Sequence, residues 1–343
     1  MSYVIGRNNI ALIYNGKLMG NPLPSYTLRF QFSDPSYDPT TVESWLGPNG
    51  QIWTWLYGST WTKVQGVAEN QWDWEYDDPD WFSAFRYAFR DSDNEVQVIA
   101  GNTKGITDMA ELFEGCTSLT SCCWLDTSIV TRMSEMFVGC EGLSYIPTFD
   151  THNVTSMYAM LMACTGITRI PSFDTSKVTN MRQFCSQCHS LSDVPMLDTH
   201  LVTDMSGMFA DCWALTTVPL FDTSNVTTMA GMFNMQLAQA LPEHIPELRT
   251  IPLFNTQNVT TMETMCYNCR MLKYVPLFNT GKVVNMNYAF WNCRNVESGA
   301  LALYNQASSQ ATPPTSHTQT FRSCGYDTTT GYAEYTQIPS DWK

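Results

Sequence analysis

One phrase returns along the chain on a fixed beat. Residues 221–233 read FDTSNVTTMAGMF, and close variants appear as FDTHNVTSMYAML, FDTSKVTNMRQF and FNTQNVTTMETMC. Met109, Met133, Met157, Met181, Met205 and Met229 are 24 residues apart. Met262 follows after 33 and Met286 after 24 more. Cysteines stand seven residues behind most of these methionines, at 116, 140, 164, 188, 212, 269 and 293. A leucine or its aliphatic equivalent, a proline, a phenylalanine, an aspartate and a valine keep the same phase. No single unit of this size can bury its own Leu, Phe and Met, but a stack of units can, each serving as its neighbour's wall.

The unit reads C-x-x-L-x-x-[IV]-P-x-F-D-T-x-x-V-T-x-M-x-x-M-F-x-x-C. A period of 20–29 with this pattern predicts an α/β leucine-rich repeat solenoid of about eight 24-residue units. The L-x-x-V piece reads as a short strand ended by proline, which cannot donate to a ladder. Asp-Thr-Ser/His reads as a turn in which the Asp oxygen accepts from a backbone N–H two residues on. Thr131, Thr155, Thr179, Thr203, Thr227 and Thr260 read as N-caps of a short helix carrying the Met/Phe stripe.

Three regions follow. Residues 1–100 hold seven of the eleven tryptophans, no cysteine and no repeat. Alternation in YTLRFQFSD, with further strand-like spacing in STWTKVQGV and NQWDWEY, predicts a small, mainly β docking or capping domain. Residues 101–297 form the solenoid. Residues 298–343 form a C-terminal cap with a Ser/Thr/Pro-rich loop, its end ordered by packing of Trp342.

The repeat resembles the BspA-type leucine-rich repeats, specifically the FDTSxVTxMxxMF variety of bacterial surface proteins. That resemblance, over about 101–297, implies a cell-surface or secreted protein linked to adhesion and not an enzyme. The flanks are similar to segments around such repeats in phage and prophage proteins of gut Bacteroidetes. The N-terminus, MSYVIGRNNIALIYNGKLMG, lacks the pattern of a secretion signal. A virion protein, made in the cytoplasm and freed by lysis, needs none. These resemblances imply a phage virion component, a fibre or a capsid or tail decoration protein. It would dock on other virion or surface proteins through its N-terminal domain, in several copies. The alternative is a bacterial cell-surface adhesin.

Charge narrows the partners. A formal net charge of −14 on 343 residues argues against nucleic acid and against an anionic membrane surface. No apolar run approaches the roughly 20 residues of a membrane span. No glycine-rich phosphate loop, nucleophile elbow or Cys/His pair appears, so no catalytic residue and no cofactor is expected. A glycosidase needs only two carboxylates, and a carbohydrate-active enzyme stands as a third reading, opposed by the regularity of the repeat.

CSQC (Cys185, Cys188) and CYNC (Cys266, Cys269) have zinc-like spacing. They lie three units apart and share the cysteine column, so they read as core thiols. Rung spacing fits a disulfide, but parallel side chains do not give its near-90° torsion; a reduced column is expected. The aspartate column, and the acidic run at 72–81, invite calcium, yet capping of the turn by each Asp explains the column more simply. No metal is expected.

Recognition has a better candidate. Two residues before each proline stand Tyr145, Arg169, Asp193, Thr217, Thr250 and Tyr274, varied where the frame is constant. Aromatic, cationic and acidic groups on one open face suit a host-surface glycan or protein. A second candidate is the nine-residue insertion at 234–249, read as a projecting loop.

Overall fold

In the computed structural model the repeat becomes a stack of coils. Residues 27–33 and 95–343 are described, apart from 241–244; of the remaining N-terminal residues only short strands are described. The acidic run beyond Glu75 lies outside the described residues. In chain order the strands are β1 (Val4–Gly6), β2 (Asn9–Ala11), β3 (Ile13–Tyr14), β4 (Lys17–Leu18), β5 (Thr27–Phe32), β6 (Ser44–Leu46), β7 (Ile52–Thr54), β8 (Thr60–Lys63), β9 (Gln71–Glu75), β10 (Val96–Asn102) and β11 (Leu119–Cys122). Three antiparallel pairs, β1–β2, β3–β4 and β6–β7, stand beside a five-stranded sheet of order β11-β10-β5-β9-β8.

That sheet joins the two parts of the chain. β10 runs antiparallel to β5 but parallel to β11, with Val96 opposite Leu119 and Val98 opposite Cys122. β11 belongs to the first coil of the repeat. An open ladder edge is a template for another strand, and the first coil takes it. The next coil continues the same ladder through a parallel bridge from Ser121 to Tyr145.

The coils are not built as the periodicity predicts. The α/β expectation of a strand and a helix per unit is corrected: among the described repeat residues, β11 and α1 (Leu237–Ala240) are the regular elements. The Met-x-x-Met/Phe segment forms a turn ribbon instead. Met133, Glu135, Phe137 and Gly139 donate their N–H groups to Ser156, Tyr158, Met160 and Met162 of the next coil, at 2.8–3.3 Å. The intervening residues close turns within the coil, such as Met136 N to Met133 O and Cys140 N to Phe137 O. Each turn places a residue at positive φ, as at Glu135 (60°) and Gly139 (71°). A left-handed residue every fourth position breaks the run of helical dihedrals, and alternate N–H groups face the neighbour. Parallel bridges therefore run from Asp108 to Arg132, Ser156, Asn180, Asp204, Thr228, Thr261, Asn285 and Ser316 in succession.

With no helix there is nothing to cap, and the threonines do other work. Thr155 donates both N–H (3.0 Å) and Oγ1 (3.3 Å) to the Thr131 carbonyl; Thr179 and Thr203 repeat this one coil on. The buried threonines of the Asp-Thr turn also bind across coils, Thr151 Oγ1 donating to Asp174 O at 2.8 Å and Thr175 Oγ1 to Asp198 O at 2.7 Å. The aspartates form the turn expected of them: Asp174 Oδ1 accepts from Ser176 N at 3.0 Å, Asp222 Oδ1 from Ser224 N at 2.9 Å.

The core is columnar. Phe113 stacks on Phe137 (5.5 Å between centroids) and Phe209 on Phe233 (5.9 Å). All twelve cysteines are free thiols. Cys140, Cys164 and Cys188 each donate Sγ to a carbonyl of the preceding coil at 3.0–3.1 Å. Burial pushes the Cys140 and Cys164 thiols well up, and that of Cys123 to about 12. A protonated thiol with a donor role suits a dry column.

The turn ribbon extends further along the chain than the phrase does. Met286, Tyr288, Phe290 and Asn292 donate to Ser316, Thr318, Thr320 and Arg322 at 2.7–2.9 Å. Residues 316–324, SHTQTFRSC, thus form a further ribbon, which corrects the reading of the segment up to Thr320 as a loop. Helices α2 (Ala300–Ser308) and α3 (Thr329–Gln337) cover this end. Trp342 is buried as expected, its ring parallel to His317 at 4.3 Å.

Candidate functional site

The six residues of the varied column stand on one inter-coil ladder. Parallel bridges join Ser121 to Tyr145, Arg169 to Asp193 and Tyr274 to Ser298, and the Thr217 and Thr250 hydroxyls meet at 3.1 Å across the insertion. Their placement follows from the residues on either side. Leu143 and Ile146, and their equivalents in later coils, point into the core, so the pair between them is turned outward. All six side chains are exposed, Tyr145 at 61% and Tyr274 at 52%.

The ladder carries one internal ion pair, Arg169 Nη2 to Asp193 Oδ2 at 3.2 Å. Both groups are well exposed, so the pair stabilises by no more than about 1 kcal/mol. A ligand carrying a carboxylate or a hydroxyl can replace it at little cost. Tyr145 lies at the N-terminal end of this row and Tyr274 at the other, with charge next to the first and hydroxyls next to the second.

The remaining polar columns serve the coils. Hydrogen bonds from Ser176 hold the Asp174 carboxyl below its usual range; those from His200 do so for Asp198, and the Ser224 N–H leads for Asp222. His152 and His200 each sit on the Asp two residues before, at 2.6 and 2.7 Å. At the insertion, 234–249, Gln236 stands where other units have cysteine, while Met235 and Leu248 are buried and the buried Asp211 carboxylate accepts from Leu237 N at 2.9 Å. Burial pushes the Asp211 carboxyl up. Near the C-terminal end a shallow depression is lined by Ile245, Arg270, Met271, Arg294, Asn295 and Asp327. Arg294 there is held by both Asp327 oxygens at 2.7 Å.

Among the described residues no group of three His, Cys, Asp or Glu is placed to hold a metal ion. No helix among them is long and apolar enough to cross a membrane.

The chain is similar to a leucine-rich repeat protein from Bacteroides ovatus. The two are 15% identical over 63% of this chain and 62% of that one, with a TM-score of 0.37. The chain thus spans less than two thirds of that protein. No curated protein matches the chain. Residues 83–194 and 187–304 each match the family described as "Mycoplasma protein of unknown function, DUF285".

These findings correct the phage reading. The matched family is described from a bacterium, and its description names no virion component. A fibre or decoration protein, virion partners and a place in the virion are therefore withdrawn. The resemblance to virion flanks misled because it rested on segments outside the repeat. The two matched stretches run together from 83 to 304, well over half of the 343 residues, and the chain belongs to the DUF285 family.

Proposed function

We propose that the protein is a non-enzymatic recognition scaffold of the bacterial cell surface, an adhesin that binds a glycan or a protein through the ladder Tyr145, Arg169, Asp193, Thr217, Thr250 and Tyr274. The observation that carries this is the contrast within one coil: a uniform buried frame holds a column whose exposed chemistry changes from coil to coil. A rigid row of varied groups presents several contacts at once with little ordering cost on the protein side. The finer architecture belongs to the same proposal: a mainly β docking domain over 1–100, a solenoid of about eight units over 101–297 and a cap over 298–343.

The test is binding of the labelled chain to intact bacterial and host cells, beside the Tyr145→Ala/Tyr274→Ala variant and the Arg169→Ala/Asp193→Ala variant. Saturable binding that falls about tenfold or more in either variant supports the ladder. Binding untouched by both variants removes it. Glycan release that depends on a carboxylate would replace the scaffold reading with an enzymatic one.

A further inference from the structure

A second column lies three residues along each coil from the first, and it changes character halfway along the stack. The residue after the proline is Thr148 and then Ser172, but in the next four coils it is Met196, Leu220, Leu253 and Leu277. These four are exposed at 63%, 59%, 60% and 51%. Leu220 and Leu253 belong to adjacent coils despite the insertion, since Phe221 stacks on Phe254 at 6.5 Å. Four aliphatic side chains at consecutive rungs make a ridge about 14 Å long. Scattered exposed leucines need no explanation, but an aligned run of them marks an interaction surface.

The geometry selects the occupant. A helix lying along the ridge presents one side chain per turn of about 5.4 Å, close to the rung spacing of about 4.8 Å. Over three rungs the mismatch is about 2 Å. An extended strand presents same-side residues about 6.7 Å apart and runs out of register by roughly 6 Å over the same length. Charge then selects the helix's other face. The cations beside the ridge are already engaged, Lys273 with Glu297 at 2.9 Å, Arg249 with Glu247 at 3.8 Å and Lys282 with the Asn258 amide oxygen at 2.7 Å. On the opposite side, among the described residues, Asp222 accepts only from Ser224, while Asp198 is paired with His200 at 2.7 Å. A second copy of the chain, also at −14, is repelled. The ridge also covers only a few hundred Å², below the roughly 800 Å² per partner of a standard interface.

We infer that the ridge Met196–Leu220–Leu253–Leu277 docks a cationic amphipathic helix, with its aliphatic residues at i, i+4, i+7 and i+11 on the ridge and its Lys or Arg toward Asp198 and Asp222. The inference does not depend on what the Tyr145 ladder binds.

The probe is a fluorescein-labelled 16-residue Leu/Lys peptide with leucines at i, i+4, i+7 and i+11, titrated with the full chain by anisotropy. A peptide of the same composition with its four leucines at i, i+2, i+4 and i+6, a strand's spacing, is its control. The helical peptide binds at least tenfold tighter than the control. The Leu220→Ser/Leu253→Ser variant weakens it about tenfold, and Asp198→Asn/Asp222→Asn several-fold with a shallower salt dependence. Leu220 and Leu253 are exposed, so Leu220→Ser/Leu253→Ser keeps the parent melting curve, and Asp198→Asn/Asp222→Asn lowers it only slightly; both curves are measured alongside. Equal binding of the two peptides, or no effect of Leu220→Ser/Leu253→Ser, overturns the inference. So does sedimentation showing a dimer that this variant abolishes, which would assign the ridge to a second copy. Loss of cell binding in the Tyr145→Ala/Tyr274→Ala variant, with peptide binding retained, separates this surface from the ladder.

Discussion

Two ladders run the length of the coil stack, and they are built differently. The turn ribbon from Asp108 to Ser316 bonds to its neighbour through every second residue, and its side chains are the Met, Phe and Cys of the core. The ladder from Ser121 to Ser298 has only scattered bridges, and its side chains face water. The buried positions of the first ladder tolerate little change in residue type; the second changes type between most coils, Thr217 and Thr250 excepted. Coil-to-coil cohesion therefore resides in the ribbon, and the varied ladder is free to change without loss of the stack.

The largest break in that comparison comes from one ring on each ladder. Phe209→Ala opens a cavity between Phe221 and Phe233, its stacking partners at 6.3 and 5.9 Å. It costs about 3–5 kcal/mol in urea unfolding. Tyr145→Ala costs less than about 0.5 kcal/mol. If the two variants lose comparable stability, the division of labour fails.

The two threonine columns sharpen the contrast. Thr175 is buried and its hydroxyl serves Asp198 O, whereas Thr179 is exposed and its hydroxyl duplicates a bond its own N–H already makes to Thr155 O. Thr175→Val buries no hydroxyl but leaves the part-buried Asp198 carbonyl without this donor and costs about 1 kcal/mol. Thr179→Val stays within about 0.5 kcal/mol of the parent, as the natural Val284 at the equivalent place already suggests. Equal unfolding midpoints for the pair would show that inter-coil hydroxyl bonds are incidental.

A smaller effect lies in the backbone of the ribbon. Gly139 sits at φ 71° where Gln187 sits at 62° two coils on. An added Cβ at Gly139 meets the Gly115 Cα at 3.6 Å, an ordinary contact, so Gly139→Ala reports the conformational cost alone, about 1 kcal/mol. Gln187→Gly recovers about 0.5 kcal/mol after the entropy of the unfolded glycine is deducted. Opposite signs in thermal melts are expected; a shared sign would mean that the left-handed turn is not what these positions demand.

This ribbon is also where the sequence was least legible. The 24-residue beat, the buried Leu, Val, Phe and Met, the Asx turn and the free cysteine column are all readable from residue type and spacing. The period of Met and Phe three and four residues apart fits a helix equally well, so the ribbon was hidden behind a helical pattern. A signal did exist: six residues after every phase methionine but Met229 stand Gly115, Gly139, Ala163, Gln187, Asp211, Asn268 and Asn292. Gly, Asp and Asn recurring at one phase mark a left-handed residue. The ribbon at 316–324 was missed because Thr320 replaces the second Met and His317 the first; only Phe321 and Cys324 keep the beat. The exposure of the Tyr145 ladder could be anticipated from its variability. The ridge at Met196–Leu277 could not, because an aliphatic residue beside Pro and Phe reads as core until its direction is known.

The finest distinction between coils is electrostatic. Asp174, Asp198 and Asp222 close their turns as carboxylates held below the ordinary aspartate range, chiefly by Ser176, His200 and Ser224. Asn255 and Asn279 close the same turn without charge, accepting from Gln257 N and Gly281 N. An acid whose folded pKa lies below its unfolded one stabilises the fold above the unfolded value. That contribution disappears as pH falls through the folded one. The loss therefore falls below about pH 4, and it belongs to the aspartate coils alone. These groups are almost fully solvated, so the effect is small and salt weakens it. The triple variant Asp174→Asn/Asp198→Asn/Asp222→Asn keeps the turn and removes the titration. Its melting temperature falls less than the parent's between pH 7 and pH 3, and the gap narrows in high salt. An identical fall in both would mean that the turn draws nothing from the charge of its aspartate, and that the coils closed by Asn and by Asp are energetically the same.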